Sequence, residues 1–366
     1  MRARIFAISA CAVVGQFSLS PASAGPALLF EPANGKLLYA EEPDSLWHPA
    51  SLTKVMTAYV TFKAIKAGRL TLDQKIPCSL VATLQPPSKV GLNVGAEMSV
   101  EKALQAIIIK SANDVTVMLA EAVSGSETKF VEEMNAVARD LGMSRTHFAN
   151  TNGLPDPSQI TTARDLAKLA RAVVAEFPEY ASYWSMTDMR IGNKRLGSHN
   201  ALLKTFPGAD GLKTGFTCDS GFNVVASATR DGRRLMAVVL GESSGNERAI
   251  RAASLLEHGF QTQDWKALFN QTSIDNLPVD PAAKGITSVR ADVLAWDCGN
   301  RKRKSSGPGI VRKKKKKPAE AGAAAASPTA AERSVDAATT RPALKGTQTS
   351  QDTAKPKAAA GSQQAN

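Results

Sequence analysis

The chain has 366 residues, is 43% hydrophobic and only 5% aromatic, and carries four Cys, four His and a formal net charge of +12. That charge is not spread along the chain. Fifteen basic residues against four acidic ones after residue 300 supply +11 of it, and residues 25–300 sum to −1. A basic nucleic-acid-binding fold is thereby excluded for the central region. The scattered His and Cys, without metal-ligand spacing, point to no metal and no cofactor.

Arg2 and Arg4 precede an apolar run from Ile5 to Val14, and Ala22-Ser23-Ala24 offers a small-residue cleavage site. This is the layout of a secretory signal over residues 1–24, and the apolar run is too short to span a bilayer. The expected location is therefore exported and periplasmic, with no transmembrane helix after cleavage. Three Cys then remain: Cys78, Cys218 and Cys298. An oxidising compartment permits one disulfide. The expected pair is Cys218–Cys298, which would staple a loop-like, sequence-distant stretch back to the core.

Residues 25–264 read as one globular unit. ALLFEPANGKLLYAEE places two short apolar strands around Asn34-Gly35, a hairpin signal. A helix opened by Ser51 follows, its Leu52, Val55, Met56, Tyr59 and Val60 recurring at helical spacing. Residues 99–181 read mostly as helix, with Thr162 to Asp165 expected as a capping box. GFNVVASATRDGRRLMAVVLGES is a second hairpin turning at Asp231-Gly232, and ERAIRAASLLEHGF closes the unit as a helix. Strands at both sequence ends with helices between imply a mixed α/β (α+β) fold: one antiparallel sheet flanked by helices, with a mainly helical lobe. Residues 265–300 are expected as a short extension. Residues 301–366, rich in Ala, Pro and Lys, read as a disordered tail. Behind an export signal, its partner is expected to be anionic lipid or acidic wall polymer rather than nucleic acid.

Three Ser-x-x-Lys segments occur: Ser51–Lys54, Ser99–Lys102 and Ser126–Lys129. On a helix this spacing puts both side chains on one face, equally suited to a cap and to a nucleophile beside its base. Ser99 and Ser126 have acids in the first turn and read as N-caps. Ser51 is surrounded by Leu, Thr, Val and Met, so Lys54 has no acid to pair and is expected to be partly desolvated. Its pKa should then fall, as a lysine base requires. Ser111 and Asn113 interrupt two helical runs, as an N-cap or as a proton relay and a donor to a substrate carbonyl. Ser198-His199-Asn200 shows that Ser-x-Asn is weak by itself. Lys213-Thr214-Gly215 occurs once. On a strand beside Ser51 it would bring a cation, a hydroxyl and close backbone approach to one cleft. The amides of Phe216 and Ser51 would form an oxyanion hole.

In the order Ser51, Ser111, Lys213, separated by 60 and 102 residues, these segments resemble the three motifs of penicillin-binding proteins and serine β-lactamases. HPASLTKVMTAY, MNAVARDLGMSRTHFANTNGLPD, TTARDLAKLA, GADGLKTGFT and SGFNVVASATRDGRRLMAVVLG narrow the resemblance to the low-molecular-mass D-alanyl-D-alanine carboxypeptidases, over most of residues 25–260. The resemblance implies a β-lactamase/transpeptidase-like fold. It implies that Ser51 attacks the carbonyl between the terminal D-Ala residues of peptidoglycan stem peptides, with Lys54 as base. Ser111, backed by Lys213, passes a proton to the leaving D-Ala. Asn113 binds the substrate amide, and Thr214 and Arg248 hold the terminal carboxylate. β-Lactam antibiotics are expected as covalent inhibitors. The alternatives are a serine β-lactamase, for which only Asp156 and Asp165 offer a deacylating carboxylate, a DD-endopeptidase, and a non-catalytic wall-binding protein.

Overall fold

Nine strands form one large sheet and two small ones among the residues described by the computed structural model, which are 25–262, 272–294 and 298. The segments read as signal peptide (1–24) and basic tail (301–366) lie outside the described residues. In chain order the strands are β1 (Ala27–Phe30), β2 (Leu37–Glu41), β3 (Lys75–Pro77), β4 (Glu97–Ser99), β5 (Asp188–Ile191), β6 (Lys194–Gly197), β7 (Ala209–Thr217), β8 (Gly221–Arg230) and β9 (Arg233–Glu242). The large sheet runs β2-β1-β9-β8-β7, all antiparallel, so strands distant in sequence meet at β1–β9. β3–β4 and β5–β6 are separate two-stranded pairs.

Local sequence accounts for the turns. Asp231 and Gly232 both take positive φ, 50° and 76°, as a two-residue hairpin turn between β8 and β9 requires. Alternation then sorts the side chains. Leu28, Phe30, Val225, Met236 and Val238 face the helical lobe, while Ala27, Leu29, Val224, Ala226, Ala237 and Val239 pack with Ala252 and Leu256 of the Gly245–Gln261 helix. Each fully buried Leu or Val contributes about 1.5–3 kcal/mol.

The Thr53–Lys66 helix is buried on nearly every side, Lys63, Ile65 and Lys66 excepted. That is wider than the single broad face expected, because it runs through the centre of the lobe. Phe62 stacks on Tyr180 at 4.1 Å and meets Phe177 and Trp184. Ser99 and Ser126 are N-caps, each hydroxyl accepting the backbone N–H three residues on at 3.3 Å. The capping box at Thr162 is only half made. Thr162 accepts from the Asp165 amide, but the Asp165 carboxylate turns to Arg145 N and Thr146 Oγ1.

Residues 272–294 form an irregular strap rather than a further sheet. Ser273 bridges Lys36, and Arg171 pairs with Asp275. The buried Arg164 holds Asp44 and the Leu277 and Pro278 carbonyls. Val289 N donates to Asp219 O, and Leu294 N to Ser243 O. Beyond it, Cys298 is bonded to Cys218 just past the end of β7, across 80 residues. No helix among the described residues is long and apolar enough to cross a membrane.

Candidate active site

Ser51 does not cap a helix. It lies in a 3-10 turn, Ala50–Leu52, that leads into the Thr53–Lys66 helix, and no side chain caps either element. Ala50 before it has φ +48°, an uncommon conformation for a residue with a Cβ. Three neighbours hold this turn. Gly153, at φ +83°, faces the Ala50 carbonyl so closely that a Cβ there would collide with it. A Cβ at Gly215 would lie 2.9 Å from Pro49 O and 3.1 Å from Ser51 N, so that glycine's clearance serves the turn as well as the cleft. Asn223 Nδ2 donates to His48 O and Pro49 O.

One turn later, Lys54 is fully buried. Its Nζ lies 2.7 Å from Asn113 Oδ1, 2.6 Å from Asn152 O and 3.1 Å from Ser51 Oγ. Burial, reinforced by the charge of Lys213, drives the ammonium pKa well below the usual lysine range, with Asp114 opposing. The Asp114 carboxylate is itself occupied, accepting the amides of Val90, Gly91 and Val115.

Ser111 is not a cap either. It follows a π-helical turn, Ala106–Lys110, in the left-handed region at φ 60°, and Ala112 precedes the Asn113–Ser124 helix. Its hydroxyl is buried without a hydrogen-bond partner, and the residue lines the cleft. Asn113 is more committed than expected: Oδ1 accepts from Lys54 while Nδ2 donates to Pro86 O at 2.9 Å. One Nδ2 hydrogen is left for a ligand.

β7 is an edge strand of the large sheet and carries Lys213, Thr214, Gly215 and Phe216. Lys213 is 2% exposed, and burial, then the nearby Arg248, lower its pKa to about 7. Its Nζ donates to Thr214 O at 3.0 Å and makes no hydrogen bond to the Ser111 hydroxyl. Arg248, in the first turn of the Gly245–Gln261 helix, is 7% exposed. Among the described residues it donates to two carbonyls, Asn223 O and His199 O at 3.5 and 3.3 Å, and lies over the face of Phe222. Burial lowers its pKa to about 10.

Ser51, Ser111, Asn113, Thr214, Gly215, Phe216 and Arg248 thus line one cleft of about 360 Å³, with Lys54 and Lys213 beneath it. Sequence reasoning missed His199, Asn152, Gly153 and the Pro87–Ser88 wall of the same cleft. Partial desolvation and the charges of Lys213, Lys110 and Arg248 push the His199 imidazole down to about 4. A turn signal, Asn-Thr-Asn-Gly, marks 150–153, and a polar Asn inside an apolar strand marks Asn223. Asp156 binds Ser158 on the surface and Asp165 is locked in the lobe, so neither reaches the cleft.

The model of the D-alanyl-D-alanine carboxypeptidase family matches residues 16–244. The chain belongs to that family. It is 34% identical over 256 residues to D-alanyl-D-alanine carboxypeptidase DacF of Bacillus subtilis, covering 67% of this chain and 65% of the relative. To DacC of Escherichia coli it is 36% identical over 241 residues, covering 64% and 60%. The chain thus spans just under two thirds of the length of these curated relatives. Among solved structures, penicillin-binding protein 6B of Escherichia coli matches with TM-score 0.62 and 36% identity, over 67% of this chain and 80% of that one. Penicillin-binding protein D2 of Listeria monocytogenes, in its cefotaxime-bound form, matches with TM-score 0.60 and 32% identity, over 65% and 97%.

Proposed function

We propose that this carboxypeptidase-family chain is an exported serine D-Ala-D-Ala carboxypeptidase that trims peptidoglycan stem peptides and is acylated by β-lactams on Ser51. The observation that carries the reading is the environment of Lys54. Two carbonyl oxygens, which can only accept, take two of its N–H groups, and its third position faces the Ser51 hydroxyl. A neutral amine so held presents its lone pair to that O–H.

Lys54 takes the Ser51 proton as Oγ attacks the carbonyl carbon of the penultimate D-Ala. The developing oxyanion sits at the amides of Ser51 and Phe216. The remaining hydrogen of Asn113 Nδ2 meets the substrate amide, and the unpartnered Ser111 hydroxyl gives a proton to the departing amine. Lys213 supplies positive charge behind it. Thr214 and Arg248 take the terminal carboxylate, and Gly215 allows the strand its close approach. Arg248 suits this because it is a buried cation that has no carboxylate partner among the described residues. Water then hydrolyses the Ser51 ester. No carboxylate among the described residues lines the cleft, which favours slow release of a β-lactam adduct over β-lactamase turnover. Residues 25–264 would be the catalytic domain and 265–300 its extension. Residues 1–24 would direct export to the periplasm, and the tail would associate loosely with anionic lipid or wall polymer.

Mass spectrometry of the intact protein after penicillin treatment, with D-Ala release from a D-Ala-D-Ala peptide, tests this. One adduct, mapped to Ser51 and absent from Ser51→Ala, is expected. An adduct elsewhere, or one persisting in the variant, overturns it.

A further inference from the structure

The strap over residues 272–294 is held most closely at its far end. From residue 288 onward its side chains are exposed except for Val289 and Val293, and Cys298 beyond them is buried. The bonds made there converge on one short turn, residues 218–220, between β7 and β8. Cys298 is joined to Cys218. Ser288 Oγ donates to Asp219 Oδ1 at 2.8 Å, and Arg290 pairs with the same carboxylate at 3.1 Å. Val289 N donates to Asp219 O at 3.1 Å. Val289 also packs on Gly221, where a Cβ would come within 2.9 Å of its Cγ2.

That turn adjoins the cleft. Phe216 and Thr217, which end β7, line the cleft together with Phe222, and the two Phe rings stack at 4.2 Å. Among the described residues β7 is paired by β8 alone, and a strand end with few partners opens most readily. The turn is also tied to the segment that carries the nucleophile. Trp47, four residues before Ser51, donates its indole N–H to Ser220 O at 2.9 Å. Strap, turn and Ser51 segment are therefore one connected set of contacts.

We propose that the end of the strap is a positioning clamp for the oxyanion end of β7, with Cys298 as its lock. Closing the disulfide fixes Phe216 and Thr217 against the Ser51 turn, and opening it slows attack on the substrate carbonyl without unfolding the chain. The proposal rests on the reading of the Ser51 and Phe216 amides as the oxyanion hole. Donors of that kind work because they are held in place before charge develops, and a misplacement of about 1 Å can cost about 10²-fold in rate. Full activity then requires an oxidising compartment, the setting in which such a bond persists.

Three variants of the full-length protein test the clamp. Cys298→Ala frees the strap without altering β7, Val289→Ala keeps the bond but loses the packing on Gly221, and Asp275→Ala cuts the strap's distant anchor to Arg171. Stopped-flow acylation by a fluorescent penicillin separates binding from the acylation step, and thermal unfolding is followed alongside. Cys298→Ala should acylate about fivefold to fiftyfold more slowly with its penicillin binding nearly unchanged, short of the 10²–10³ lost with an oxyanion donor itself. Val289→Ala should show a smaller loss of the same kind, and Asp275→Ala none. Reducing the wild type with a dithiol, which is oxidised to its cyclic disulfide as Cys218 and Cys298 become thiols, should reproduce the Cys298→Ala rate. Reoxidation should restore it. A Cys298→Ala variant with a lowered Tm and a wild-type acylation rate overturns the proposal, because the bond then only stabilises the fold. An equal loss in Asp275→Ala overturns it too. If Cys298→Ala does not fold, Val289→Ala decides by the same criterion. If the wild type is not acylated, the carboxypeptidase reading fails instead, and the clamp is judged by hydrogen exchange. Faster exchange of the 214–222 amides in Cys298→Ala, with the Gly245–Gln261 helix unchanged, supports it, and equal exchange overturns it.

Discussion

Three segments of this chain share the pattern Ser-x-x-Lys at the start of a helix, and the structure gives them two different fates. At Ser99 and Ser126 the serine is extended, with ψ of 151° and 156°, and its hydroxyl takes the backbone N–H three residues on. Lys102 there reaches out to Gln105. At Ser51 the serine is wound into a 3-10 turn, its hydroxyl faces a side-chain amine, and that lysine is sealed from water. Spacing is therefore indifferent to the outcome. What decides is whether the backbone before the serine leaves its hydroxyl free, and whether the fold buries the lysine or leaves it at the surface. Glu101 and Glu127 lie in the first turns of the two caps, and none lies in that of the Thr53–Lys66 helix.

The sharpest way to break the contrast is to remove the buried amine. Lys54→Met should fill the same volume without a base and lower penicillin acylation by about 10²–10⁴-fold, the range of general-base contributions. Lys102→Met and Lys129→Met should leave the acylation rate unchanged. Stopped-flow acylation with a fluorescent penicillin distinguishes the three. Comparable losses in all three variants would abolish the distinction.

Distorting the turn comes next. Gly215→Val introduces a Cβ within 3.2 Å of Pro49 O, Ser51 N and Leu52 N, backbone atoms that have little room to give. Acylation should fall by about 10-fold to 10²-fold, since small misplacement of a nucleophile is costly, while far-UV circular dichroism stays native. An unimpaired rate in a folded variant would show that the strand does not position Ser51.

Lys213 separates stability from function through pH. Its pKa of about 7 in the fold lies below its ordinary 10.5, so the unfolded chain binds the additional proton between those values. Stability of the wild type must then rise with pH across that window, because burial of the charged form costs most below about pH 7. Lys213→Met removes the penalty. Its Tm should exceed that of wild type by several degrees near pH 6, and the gap should close towards pH 10, even as acylation declines. Thermal unfolding at pH 6 and pH 9.5 measures it. A variant less stable than wild type at pH 6 would mean that Lys213 is compensated in the fold by a partner.

Much of this was legible in the sequence because it depends on local chemistry. The Asp231-Gly232 hairpin, the Ser99 and Ser126 caps and the unpaired Lys54 each follow from a few neighbouring residues. The missing half of the Thr162 capping box, the second bond of Asn113 to Pro86 and the commitment of Lys213 to its own strand did not. Each depends on a segment far away in the chain: Arg145–Thr146, the Pro86–Ser88 wall, and the depth of β7 behind the Ser51 turn. His199 was hidden for a further reason. It sits in a Ser-x-Asn segment whose Ser198 and Asn200 form a local turn, and only the return of the chain from the β5–β6 hairpin brings it to the cleft.

The smallest effect concerns the two caps themselves. Ser99→Ala and Ser126→Ala each leave one helix-terminal N–H without its acceptor. An N-cap serine is worth about 0.5–2 kcal/mol. Ser126 should lie at the upper part of that range, because its helix, Glu127–Asp140, runs 14 residues and packs Phe130 and Met134 into the core, so fraying at its start loosens buried contacts. Ser99 caps only Val100–Gln105, whose backbone continues into the π turn before Ser111, and its loss should be nearer the lower end. Urea unfolding midpoints should fall in that order while acylation of Ser51 proceeds at the wild-type rate. A cap variant that slowed acylation without lowering the midpoint would mean that the cap at Ser99 sets the geometry of Ser111 through the intervening turn, and the division between the two kinds of Ser-x-x-Lys would no longer hold.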